Sequence, residues 1–174
     1  LWMNSALLLH PEHAVLVDPG VLPSELDDLA DAVRVAGPKT VSIIFTHSHW
    51  DHVLGRPWWP QAGTVGHAGL GAELRRDAAA ILAEATGHAA QFGETWSQGF
   101  QPFEPDLVVE GEPVFARDER AMAMGPWQLM LREAQGHCDS QITADLEERN
   151  LLFAADLLSD LEIPWLDRNP AYYR

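Results

Sequence analysis

The chain has 174 residues, 47% of them hydrophobic and 21% charged, which is the composition of one globular domain with a sizeable core. Eleven basic residues against 26 acidic ones give a net charge of −15, which argues against nucleic acid and anionic membrane surfaces as partners, since both are held largely by Lys and Arg. No apolar run approaches a membrane span and no signal-peptide pattern stands at the beginning; with a single cysteine, this fits a cytoplasmic protein without an internal disulfide.

Residues 2–9 and 14–17 read as two strands joined by the turn His10-Pro11-Glu12-His13, which places both histidines in solvent at a hairpin tip. The second strand ends at Asp18. Residues 24–36 carry Leu26, Leu29, Ala30 and Val33 on one helical face, with Ser24 and Asp27 resembling a capping box and Gly37 as the stop. A short buried strand follows at 41–45. Residues 64–66 read as the next strand, ending at His67. Residues 71–99 are mostly helical, with Leu74, Ala78, Ile81, Leu82 and Ala85 facing a core and His88 without a neighbouring ligand. Phe92, Trp96 and Phe100 recur every four residues, which suits either a lid or a buried stripe. Strand candidates at 107–109, 127–132, 142–144 and 151–155 follow, with Glu147-Glu148-Arg149-Asn150 as a hairpin turn. This pattern predicts a mixed α/β class in a single domain, 1–174.

The chemistry concentrates in Thr46-His47-Ser48-His49-Trp50-Asp51-His52, closed by Gly55. Imidazole and carboxylate are the ligands that zinc, iron and manganese take. Side chains alternate along extended chain, so His47 and His49 point to one side and reach one ion. Asp51 and His52, as the chain turns, suit a second. Ser48 is a spacer. Trp50 and Trp58 stand near enough to wall a pocket, and His67 is either structural or pocket-lining. Cys138 has no cysteine partner and directly follows His137, which suits a small buried residue better than a metal thiolate.

An HxHxDH run after a buried strand resembles the metallo-β-lactamase fold superfamily. Its other landmarks occur in order: Val15-Leu16-Val17-Asp18-Pro19-Gly20, Gly136-His137, and Leu152-Phe153-Ala154-Ala155-Asp156, a match running from about residue 6 to residue 168. The resemblance implies a four-layer αββα sandwich. It implies that His47, His49 and His137 hold a first metal ion, that Asp51 and His52 hold a second, and that Asp156 bridges the two. Asp18 is then a carboxylate that orients the ligands rather than ligating. Two Zn2+ ions are expected, with Fe or Mn as alternatives.

The implied activity is that of a glyoxalase II-like metallo-hydrolase, using a metal-bound hydroxide on a small ester, thioester or lactone, with Asp51 orienting the water and accepting its proton. The alternatives are a mononuclear iron dioxygenase of the persulfide type and a truncated copy that binds metal without turnover. No cysteine follows Cys138, which lowers the β-lactamase reading. The family often has Gly before the bridging aspartate; here it is Ala155. It also normally adds a strand, a helix and a final histidine ligand after Asp156. No histidine follows His137, and residue 1 is Leu, so the chain is expected to be a piece of a longer protein, its last strand and helix missing and its second site one ligand short.

Overall fold

Parallel strands need long crossovers, and the helical stretches between the early strands provide them. The computed structural model describes residues 3–111, 114–115 and 124–158. Its first sheet has the spatial order β1 (Ala6–Leu9), β2 (His13–Val17), β3 (Thr40–Ile44), β4 (Gly63–His67), β5 (Leu107–Val109). β1 is antiparallel to β2; the remaining neighbours are parallel, so β2 to β5 end at one edge. The crossovers contain α1 (Pro23–Ala36), the single turn α2 (Trp50–Val53) and α3 (Leu70–Gln91). The second sheet is antiparallel, in the order β6 (Val114–Phe115), β7 (Met130–Glu133), β8 (Ile142–Leu146), β9 (Leu151–Phe153).

The alternation of side chains along β2 and β3 divides the core in two. Leu16, Ile43 and Phe45 face Leu26 and Val33 of α1 and Leu70, Leu74, Ile81 and Ala85 of α3. Val15, Val17, Ile44 and Val65 face Leu129, Leu131, Ile142, Ala144 and Leu146 of the second sheet. Each fully buried Leu or Ile contributes about 1.5–3 kcal/mol of transfer free energy. Helix, sheet and sheet are thus stacked as the αββα expectation requires. After β5 the described residues contain two 3-10 turns, Glu147–Arg149 and Ala155–Leu157, and no α-helix. No helix among the described residues is long and apolar enough to cross a membrane.

Local chemistry differs from the sequence expectations at several points. His13 is a buried strand residue, not a solvated turn residue: Nδ1 lies 2.6 Å from Thr40 Oγ1 and Nε2 lies 3.0 Å from Ser42 Oγ. The turn closes one residue earlier, by His13 N–H donating to the His10 carbonyl, and the hydroxyls of neighbouring β3 satisfy the ring. His10 is exposed, as expected. The cap of α1 is formed by Glu25, whose Oε2 accepts from the N–H groups of Val21 and Leu22, while Ser24 bonds Glu94 instead. Gly37 stops the helix with φ +61°, as expected. α3 ends at Gln91, so Phe92, Trp96 and Phe100 share no helical face; Trp96 is buried in the core and Phe92 is exposed. β6 is too short for periodicity to announce. Trp2 and residues 159–174 lie outside the described residues.

Gly55 touches the turn after β2. A Cβ there would stand 2.6 Å from the Pro19 carbonyl oxygen and collide with the Pro19 ring. Gly55→Ala should therefore cost about 1–3 kcal/mol, as overpacking does, seen as a lower urea midpoint. An unchanged midpoint would show that the Pro19 turn yields freely.

Candidate metal centre

Ligands of open α/β sheets gather at the carboxyl ends of parallel strands, and here three of those ends carry polar side chains. Asp18 follows β2, the Thr46–His52 run follows β3, and His67 ends β4. The second sheet closes over them. Ile142 N–H, at the start of β8, donates to the Thr46 carbonyl at 2.8 Å, tying the two sheets beside the cluster. The loop between β7 and β8 brings His137, and the turn after β9 brings Asp156.

Four of these side chains converge. Single ligand atoms of His47, His49, His137 and Asp156 all lie within 4.8 Å of one another. The His47 ring is the hub, with the rings of His49, His52 and His137 at 4.6, 4.0 and 4.9 Å. His49 Nδ1 and His137 Nε2 are 2.9 Å apart. The two Asp156 oxygens face different ways. Oδ2 is 3.8 Å from His47 Nε2 and 3.3 Å from His137 Nε2, while Oδ1 is 3.4 Å from His52 Nε2. Asp51, also buried, places Oδ2 3.7 Å from His52 Nε2.

Asp18 organises the cluster from behind. Its carboxylate accepts from Thr46 N–H at 2.8 Å, from the Thr46 hydroxyl at 2.5 Å and from His52 Nδ1 at 2.8 Å. A hydroxyl has one proton. Since Thr46 donates its own to Asp18, the 3.1 Å contact with His47 Nδ1 requires the imidazole to donate. Both histidines are therefore protonated on Nδ1 and present Nε2 to the cluster. These Nε2 atoms are buried without a hydrogen-bond partner. Unpaired buried polar atoms are costly, and the lone pair of neutral His47, aimed among carboxylate and imidazole neighbours, fits a metal ion. The donor set also fits zinc or iron. Thr46 was not singled out from the sequence; its place beside the first histidine was the only signal. Asp18 holds φ +44°, a left-handed conformation, and so does Ala155 with φ +45°. Ala155 thus occupies a turn where Gly is cheaper by about 1 kcal/mol.

Burial and charge act in opposition here. Burial pushes the His47 pKa well below the usual 6.5, and the neighbouring imidazoles push it further. His49 is lowered by burial and His137, against Asp51 and Asp156. Burial also opposes charge on His52, but Asp18, Asp156 and Asp51 outweigh it and raise the pKa to about 10. For Asp156, burial raises the pKa, yet His52, His137 and His49 lower it on balance.

The other expected pocket residues are placed elsewhere. Trp50 packs against His88 at 5.3 Å and onto the helix-side core. Trp58 donates to Asp27 and lines a cavity of about 580 Å3 at the opposite end of the strands, with His13, Lys39 and Trp59. His67 accepts from Gly69 N–H on Nδ1 and points Nε2 at Glu133 Oε1, 3.4 Å away across the sheets. Glu133 in turn lines a cavity of about 600 Å3, with Gln135, Thr143, Ala154 and Leu157. That cavity adjoins the turns carrying His137 and Asp156. Cys138 is buried, its thiol pushed up to about 11 by burial, and stands outside the group formed by His47, His49, His137 and Asp156.

The family model described as the metallo-beta-lactamase superfamily matches residues 2–174. No curated protein matches the chain. Among solved structures, the BLEG-1 B3 metallo-beta-lactamase is 18% identical with a TM-score of 0.61, over 96% of this chain and 73% of that one. TMB-1 is 17% identical with a TM-score of 0.65, over 95% of this chain and 63% of that one, so the chain spans less than two thirds of its length. TTHA1623, solved in a di-iron-bound form, is 21% identical with a TM-score of 0.61, over 98% and 77%. At these identities the likeness is one of fold.

Two outcomes follow from the geometry. Asp18→Asn and Thr46→Val should each lower metal affinity about 10- to 100-fold, measured by chelator competition; affinities equal to the parent's would remove Asp18 and Thr46 from the centre. For the chelator-stripped protein, stability should be greatest near pH 6.5. Below it, His47 and His49 stay neutral in the fold while the unfolded chain takes protons, so stability falls with pH. The His52 contribution is complete below 6.5 and is lost as pH rises through about 10. Thermal midpoints across pH 5 to 10 check both limbs.

Proposed function

Because the chain belongs to the metallo-beta-lactamase superfamily, we propose that it is a metal-dependent hydrolase of a small ester, thioester or lactone. The observation that carries this reading is the convergence of His47, His49, His137 and Asp156, with His47 Nε2 buried and unpaired. In the proposed arrangement His47, His49 and His137 would hold a first Zn2+, Asp51 and His52 would hold a second, and Asp156, which stands beside His47, His137 and His52, would serve both. The ions, when bound, supply Lewis acidity and a water of lowered pKa.

The chain's own groups supply the rest. Asp18 and Thr46 keep the His47 and His52 lone pairs aimed inward. Asp51 orients the attacking water and takes its proton. The cavity beside the His137 and Asp156 turns, polar at Glu133, Gln135 and Thr143 and apolar at Leu152, Ala154 and Leu157, suits an acyl group of modest size. The net charge of −15 supports a small molecule over nucleic acid as substrate. A single cysteine, buried beside His137, suits the reducing cytoplasm.

Purified protein should hydrolyse one member of an ester, thioester and lactone panel. Turnover should vanish with a chelator and return with Zn2+. Asp51→Asn should lower kcat about 10²- to 10⁴-fold, as loss of a general base does, with the first ion retained and the second, which Asp51 helps to hold, bound more weakly. Two bound ions with no turnover across the panel would sink the hydrolase. A second reading is a mononuclear iron dioxygenase; the di-iron-bound form of TTHA1623 supports iron as a metal this fold holds, without specifying the reaction. Bound iron with substrate-dependent oxygen uptake would establish it instead.

A further inference from the structure

Ser48 sits between two of the converging histidines, yet its side chain points away from them. Its hydroxyl donates to Glu73 Oε2 at 2.5 Å. Ser48 is buried and Glu73 is half-buried in the first turn of α3, so water competes weakly for this charge-assisted bond. α3 is 22 residues long and anchored in the core by Leu70, Leu74, Ile81 and Ala85, which makes it a rigid platform. The loop between His47 and His49 lies outside any strand.

The Ser48 backbone hydrogen-bonds the Cys138 thiol, so the loop that carries Glu73's partner also touches the loop of the third histidine. Cys138 directly follows His137. Glu73 therefore holds, through Ser48, the loop carrying His49, whose Nδ1 lies 2.9 Å from His137 Nε2.

We infer that Glu73 is a positioning residue for the proposed first metal ion, fixing through Ser48 the spacing of His49 against His137. It touches neither metal nor substrate. Its work is to hold one ligand loop on α3 at the distance the other requires. This inference rests on the proposed metal centre and goes beyond it in assigning a residue from α3, a helix that contributes no ligand.

Cobalt(II) substitution tests it without reference to turnover, because the visible ligand-field bands report coordination geometry directly. In the full chain, Glu73→Ala and Ser48→Ala should each weaken cobalt and zinc binding about 10- to 100-fold and shift the cobalt bands. The double variant should lose little more than either single one, since the two groups act as one unit. Glu73→Gln, which keeps an acceptor for Ser48, should restore the band positions. Glu84→Gln, which removes a charge from the same helix, should leave bands and affinity unchanged. Parent-like bands and affinity in both alanine variants, or losses that add independently, would overturn the inference alone. A parent chain whose cobalt spectrum is unaffected by His47→Ala would overturn the metal centre with it. Hydrolytic inactivity with the expected cobalt pattern would leave this inference standing and remove only the hydrolase.

Discussion

Everything in the cluster depends on one buried carboxylate. Asp18 is not one of the four converging side chains, but it decides which nitrogen His47 and His52 offer. Its bond to His52 Nδ1 is direct; its hold on His47 passes through the Thr46 hydroxyl. A buried anion is tolerated only when its charge is answered, and three donors answer this one. The same bonds fasten the start of the histidine run to the end of β2. Orientation of ligands and closure of the sheet edge are therefore one interaction.

The rest of the architecture brings distant chain segments to that edge. Parallel strands β2 to β4 deliver their polar ends side by side; one hydrophobic layer packs the helices behind them and the other fixes the second sheet over them. The Ile142 to Thr46 hydrogen bond spans the sheets at the point where alignment matters most. His137 and Asp156, about ninety and a hundred residues beyond the histidine run by sequence number, come within a few ångströms of it because β7 to β9 are held in register on that face.

The sequence made the local part of this legible. His47, His49, Asp51 and His52 lie within six positions, and alternation along extended chain predicts the first two on one side; their rings stand 4.6 Å apart, on a loop beyond the end of β3. The αβ class and most strands were legible too, because apolar runs and glycine stops are local signals. What involved pairing between distant segments was not. His13 looked like a turn residue because nothing in its neighbourhood announces that β3 will bring Thr40 and Ser42 to its ring. Glu25 won the helix cap from Ser24 because its side chain reaches back over the turn, and Ser24 found Glu94 seventy residues away. Trp58 stands only six positions beyond His52, yet one turn of helix and one 3-10 turn carry it to the opposite end of the strands. Glu73 carries no motif at all.

The backbone at Asp18 adds a constraint of a different kind. Its left-handed conformation is one that Gly, Asn and Asp adopt more readily than other residues. Asn and Gly would keep the turn and lose the negative charge; Glu would keep the charge but favours the turn less and carries it one methylene too far. No single replacement satisfies both demands. Position 18 is thus a mutational dead end, reached from two independent directions, whereas Ala155, strained in the same way but asked for no chemistry, has a one-step route to relief.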